Sequence, residues 1–244
     1  MDFSYTDIKV PEGVFKISPS GISKFFEMPS IWYGDNFLGE NSFTGNTSSY
    51  LGTIVHAIAE GVAKGESTSR EEIEDFLDTI DDPDINKNEI RSNYPEMSRV
   101  LINEYLLKNM PDLVEQQTLA EVSEGVMVGG TYDAIQGNTL IDYKTAARKP
   151  NVETMAFGYK IQLLSYAWSL RKEGTIIDRL RLVYIVRATK TLPARVFVVN
   201  HMITPEDWQM IEDTLDLMAE TIQLQKSNPE YTHLLYKSMK LKGK

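Results

Sequence analysis

The hydrophobic pattern of the chain changes period partway along. Leu51, Ile54, Val55, Ile58 and Val62 recur three or four apart and predict a helix over 49–63. Ser18-Pro19-Ser20 is a helix-start signal ahead of Ile22, Phe25 and Phe26. A short acidic helix is expected over 69–80, closed by Asp81-Asp82-Pro83-Asp84 because proline cannot continue a helix interior. Met97, Val100, Leu101, Tyr105 and Leu106 place another helix at 96–109. The Gly, Asn, Ser and Thr of 34–48 read as a loop.

Beyond these helices the pattern becomes that of strands. Segments 117–123, 126–136 and 139–144 carry β-branched residues and are punctuated by Gly125 and by Gly137-Asn138, a two-residue hairpin turn. A long amphipathic helix is predicted over 152–173, ended by Gly174. Strands at 179–187 and 194–200 follow, then a helix from Thr204-Pro205-Glu206 to about 226. A strand, a helix and a further strand in that order predict a crossover, hence an α/β fold with a mixed sheet.

Composition narrows the chemistry. With 244 residues, 42% of them hydrophobic and 25% charged, the chain reads as an ordinary globular protein. Zero cysteine excludes disulfides, Cys-ligated zinc, iron–sulfur clusters and any thiol nucleophile. Any metal must be held by His, Asp, Glu or backbone oxygen, which favours hard cations. No run of about 18 apolar residues occurs, so no membrane span or membrane partner is expected. The opening residues MDFSYTDIKVPEG lack the apolar core of a secretory leader, and a cytoplasmic location is expected, in the host cell if phage-encoded.

The net charge of −10 would seem to disfavour nucleic acid, yet it is unevenly spread. Residues 66–89 hold ten acids and two bases, whereas 144–200 hold eleven bases and three acids. Such asymmetry permits a basic face on an acidic protein.

Two carboxylates sit on adjacent predicted strands. Gly130-Thr131-Tyr132-Asp133 precedes the tight turn, and Leu140-Ile141-Asp142-Tyr143-Lys144-Thr145 follows it. Paired strands lie about 4.8 Å apart, so the two aspartates can reach one cation. Asp142 and Lys144 are two apart and share a face. A carboxylate-bound metal beside a lysine can cut phosphodiesters: the metal lowers the pKa of water and the lysine orients it or stabilises developing charge. Alone, Asp142–Lys144 is also what a surface ion pair at a strand end looks like. His56, on an apolar helix, is equally compatible with a core histidine.

Taken in order, these pieces resemble the RecB-like branch of the PD-(D/E)XK nuclease superfamily. That branch shows G-x-x-x-H on a helix, a strand glutamate, G-x-x-D, D-x-K and Q-x-x-x-Y. Here they read GTIVH (52–56), the strand of Glu121, GTYD (130–133), DYKT (142–145) and QLLSY (162–166). The resemblance covers roughly residues 50–170 and implies a restriction-endonuclease-like mixed sheet flanked by helices. It implies a helical region at 1–115, a nuclease core at 116–227 and a basic tail at 228–244. It implies His56, Asp133, Asp142 and the Tyr143 carbonyl as metal ligands, Lys144 as the catalytic lysine, and Glu121, preferred over Glu124, as the strand glutamate. Gln162 and Tyr166 would face the active site or the DNA, and Arg148, Lys149 and Lys160 would contact phosphate.

Some members of this branch carry an iron–sulfur cluster, with a serine-led helix ending in Cys-Pro. Here Met28-Pro29 takes that place, so no cluster is expected. The implied function is a Mg²⁺-dependent deoxyribonuclease, with Mn²⁺ as a substitute, hydrolysing phosphodiesters with a metal-activated water. The favoured form is an exonuclease on DNA ends or single strands in recombination or repair, with a recombination or replication protein as a candidate partner. The alternatives are a structure-specific endonuclease, a non-catalytic DNA-binding protein, and an acidic DNA mimic.

Overall fold

The computed structural model describes residue 3 and residues 8–40 and 45–230. The strands are β1 (Phe15–Ile17), β2 (Leu113–Ser123), β3 (Val126–Gln136), β4 (Thr139–Ala146), β5 (Arg179–Val186) and β6 (Arg195–Met202). The helices are α1 (Ile22–Glu27), α2 (Pro29–Phe37), α3 (Thr47–Lys64), α4 (Arg70–Thr79), α5 (Lys87–Val100), α6 (Phe157–Lys172) and α7 (Pro205–Ser227). All six strands join one mixed sheet: β4 runs parallel to β5, and β5 antiparallel to β6.

β3 organises the sheet. One of its edges pairs antiparallel with β2 from Ser123↔Val126 to Leu113↔Ile135. Its other edge is shared. β1 pairs there in parallel at Val126–Val128, and β4 in antiparallel fashion only at Ala134–Gln136. Among the described residues, no strand covers the stretch between, and the sheet forks there.

Each side of the sheet has its own core. Tyr132, Leu140, Leu180 and Leu182 pack with Ile161 and Leu164 of α6 and Ile211 and Leu215 of α7. Ala134, Ile141, Val183 and Ile185 pack with Ile54 of α3 and Ile90 and Met97 of α5. No helix among the described residues is long and apolar enough to cross a membrane.

Several expectations are corrected. β1 is three residues long, too short to show a period, and holds its place through β3 and the Phe15–Phe37 ring contact at 5.3 Å. α2 extends to Phe37, into the expected loop, because Trp32 and Tyr33 are buried on it. α5 begins at Lys87 rather than 96 and contains Pro95. A proline there removes one helix hydrogen bond, but Ile90, Tyr94 and Met97 are buried along the same helix and outweigh that loss. The chain continues through a π-helical turn at Leu101–Tyr105. α6 starts at Phe157, and residues 163–170 are all buried, so it is not amphipathic but enclosed between the sheet, α1 and α7. Most of the basic tail lies outside the described residues.

Close backbone approach fixes the β2–β3 pairing. A Cβ on Gly129 would lie 2.1 Å from the Thr118 carbonyl oxygen and 2.8 Å from the Leu119 Cα, neither of which can swing aside. Gly129→Ala should therefore lower unfolding free energy by about 2–4 kcal/mol, read as a drop in the urea midpoint at unchanged slope.

Candidate active site

β4 carries the first two groups. Leu140 and Ile141 enter opposite cores, so Asp142 and Lys144 continue on the Leu140 side, beneath α6, while Tyr143 packs toward α3. The Lys144 ammonium lies 2.8 Å from Asp142 Oδ1, and Gln162 Nε2 of α6 reaches the same oxygen at 3.4 Å. The ammonium also lies 5.5 Å from the centre of the Tyr159 ring. Asp142 is only 4% exposed, and its pKa is pushed up by burial and by Asp133 against the downward pull of Lys144. Burial opposes the Lys144 charge, but Asp142 and Asp133 more than offset it, so the amine stays protonated well past its ordinary range.

The fork in the sheet supplies the rest. β3 and β4 part beyond the Ala134↔Ile141 pair. The Tyr143 N–H, which would otherwise donate across the ladder, donates instead to Asp133 Oδ2 at 2.7 Å. α3 fills the other side of the opening. Its start is fixed by a reciprocal Asn46–Ser49 capping box. Gly52 allows close approach to β4: a Cβ there would lie 3.3 Å from Thr145 Oγ1. One turn on, His56 Nδ1 comes within 3.5 Å of Asp133 Oδ2.

The third member is Glu115. The β2–β3 register places it opposite Asp133, between Val114↔Ala134 and Gln116↔Tyr132. Its φ of 48° lies in the left-handed region, a conformation that costs a β-carbon-bearing residue about 1–2 kcal/mol. One donor atom each from His56, Glu115 and Asp133 lies within 4.8 Å of the others. Burial first, then the charges of Asp133 and Glu60, push the Glu115 carboxyl up to about 8.

This donor set fits a divalent cation. His56 Nδ1 and Asp142 Oδ2 are buried side-chain atoms with no hydrogen-bond partner, although such atoms are normally satisfied. Two carboxylates and an imidazole make a hard, mixed oxygen–nitrogen ligand set. A bound dication would also favour the charged form of Glu115, which the fold by itself disfavours.

The expected site residues divide accordingly. His56, Asp133, Asp142, Lys144 and Gln162 come together. Glu121 does not: it is exposed near the far end of β2, opposite Met127, and Glu115 stands at the cluster in its place. Tyr166 is 7% exposed, and its hydroxyl donates to the Thr131 carbonyl at 2.8 Å, on the open stretch of β3. Gly130 accommodates that hydroxyl, since a Cβ there would lie 2.9 Å from it. Lys160 is committed to buried Asp207 at 2.6 Å, an acid that His201 also contacts at 2.6 Å, so its charge joins α6 to α7. Arg148 and Lys149 are exposed in the segment that follows β4.

Counting from the turn does not find Glu115: the two-residue turn pairs Ser123 with Val126, and only the register shift between Glu121 and Ser123 brings residue 115 opposite Asp133. The expected strand began at 117 and so excluded it.

The raised Glu115 carboxyl sets a pH dependence. Its contribution to stability is full below the unfolded value of about 4.3 and is lost as pH rises through about 8. The melting temperature of metal-free protein should fall over that window, Glu115→Gln should flatten the fall, and Mg²⁺ should raise melting more at the alkaline end.

A family model described as the PD-(D/E)XK nuclease superfamily matches residues 16–233. A candidate exonuclease from Eubacterium rectale superposes with a TM-score of 0.62 at 14% identity, covering 91% of this chain and 88% of that one. A phage-related exonuclease from Haemophilus somnus 129PT gives 0.44 at 12% identity, covering 85% and 97%. LHK-Exo in complex with dAMP gives 0.42 at 12% identity, covering 90% and 95%. No curated protein matches the chain. The family model takes in all of the sheet but its first residue, and the helices on both of its sides: the chain belongs to the PD-(D/E)XK nuclease superfamily.

Proposed function

We propose that the chain is a metal-dependent deoxyribonuclease of the RecB-like branch, acting on DNA ends or single strands in recombination or repair. The observation that carries this is the placement of a partly open Lys144, held by Asp142, beside the His56–Glu115–Asp133 group. The cation, Mg²⁺ with Mn²⁺ as a substitute, would be held by those three, with Asp142 and the Tyr143 carbonyl as further oxygens. When bound it supplies Lewis acidity, lowering the pKa of a water and offsetting phosphate charge.

The chain's own residues do the rest. Asp133 takes its orientation from the Tyr143 N–H. Asp142 holds the Lys144 ammonium, which donates to the phosphate or to the attacking water as negative charge builds on the phosphoryl oxygens. Gln162 steadies the oxygen of Asp142 that Lys144 uses. Arg148 and Lys149 offer charge to the flanking backbone. The description of the E. rectale neighbour favours an exonuclease, as does the habit of solitary members of this branch, an argument from analogy.

Initial rates on an end-labelled oligonucleotide in Mg²⁺ test the assignment. Lys144→Ala and Glu115→Gln should each lose at least about 10²-fold, the scale of removing a preorganised transition-state group, while Glu121→Gln should stay within about threefold. Unchanged cleavage by Lys144→Ala would overturn the mechanism, and rapid nicking of closed circular DNA would favour an endonuclease.

A further inference from the structure

The cleft beside Lys144 is larger than the catalytic group requires. Its volume is about 730 Å³, within the range of clefts that enclose a small organic ligand. His56, Tyr143 and Lys144 line one end of it, and Tyr50 and Phe76 line the other. Tyr50 precedes His56 by six residues on α3, roughly 9 Å along the axis at ~1.5 Å per residue, within the span of a single nucleotide.

The two ends differ in chemistry. The Lys144 end is charged. At the Tyr50 end Asn46 and Ser49 bond each other in the cap of α3, and the Thr53 hydroxyl donates to the Ser49 carbonyl at 3.2 Å. Beside the Ser48 and Tyr50 hydroxyls, the rest of that lining is mainly ring surface. The Tyr50 and Phe76 rings lie 6.2 Å apart, tilted by 56°. One face of Phe76 is already covered by Phe3, which stacks on it at 4.5 Å and 16° and itself lines the cleft, so that end is a group of three rings.

We propose that the Tyr50–Phe76 end is a nucleobase subsite, where the unpaired terminal base of the strand stacks while its phosphate lies at Lys144. This rests on the nuclease function proposed above and names its substrate class. A base inside a duplex has both faces covered and its edge held by its complement, so the subsite selects single-stranded or frayed ends. Stacking reads no sequence, because every base has a π-face.

The test uses an oligonucleotide ending in fluorescent 2-aminopurine, bound in Ca²⁺, and the same strand ending in an abasic residue. Wild-type protein and Tyr50→Phe should quench the fluorophore, whereas Tyr50→Leu, which keeps apolar bulk against the core, should not. In Mg²⁺ the wild type should cut the purine-ended strand about tenfold more efficiently than the abasic one, and Tyr50→Leu should erase that difference. Phe76→Leu serves as the second variant if Tyr50→Leu fails to fold. Equal quenching by Tyr50→Leu, or equal wild-type rates on the two strands, overturns the subsite and leaves the nuclease function standing. No wild-type cleavage of either strand overturns the nuclease function, and the subsite with it.

Discussion

Everything at the site depends on the parting of β3 and β4. Beyond the Ala134↔Ile141 pair the ladder stops, and the Tyr143 N–H is satisfied by a carboxylate instead of a carbonyl. A buried N–H left unpaired would cost about 1–3 kcal/mol, so Asp133 is a structural part of the fork as well as a candidate ligand. Its negative charge then raises the pKa of each acidic neighbour and holds Lys144 in its charged form. The opening gives α3 room to bring in His56, and the register of β2 brings in Glu115. Without the fork, a continuous ladder would leave no gap for the cluster.

The sequence motif and the fork explain each other. The glycine of G-x-x-x-H lets α3 lie against Thr145, and the histidine one turn later reaches Asp133. In the Gln162–Tyr166 pair the two residues do different work: Gln162 reaches Asp142, while Tyr166 caps the uncovered Thr131 carbonyl at the fork's edge. The Tyr166 hydroxyl fits because position 130 is glycine. Charge is arranged in the same local way. Part of the acidic segment is neutralised within the fold, through Glu74 with Arg91 and Glu89 with Arg187, and Lys160 is taken up by Asp207. Net charge over a segment is therefore a poor guide to what a substrate meets.

What the sequence made legible follows physical rules. The Gly137-Asn138 turn and the alternating strands on either side located Asp133, Asp142 and Lys144, because turn chemistry and a period of two are local properties. α3 was legible from its apolar stripe. β1 is too short for any period, Pro95 hid the first half of α5, and α6 is enclosed on nearly all sides, so a search for one apolar face misdescribed it. Glu115 was missed because locating it needs register across a hairpin, which is non-local. The pairing of Lys160 was not legible because its partner Asp207 lies 47 positions away in the chain.

In the proposed nuclease the fork assembles one cation site from His56, Glu115 and Asp133. Diffraction from crystals soaked in Mn²⁺, collected at the manganese edge, tests it directly. The expected result is an anomalous peak at about 2.0–2.3 Å from His56 Nδ1 and from one carboxylate oxygen each of Glu115 and Asp133. A manganese ion bound away from these residues, or none there at millimolar concentration, would contradict it.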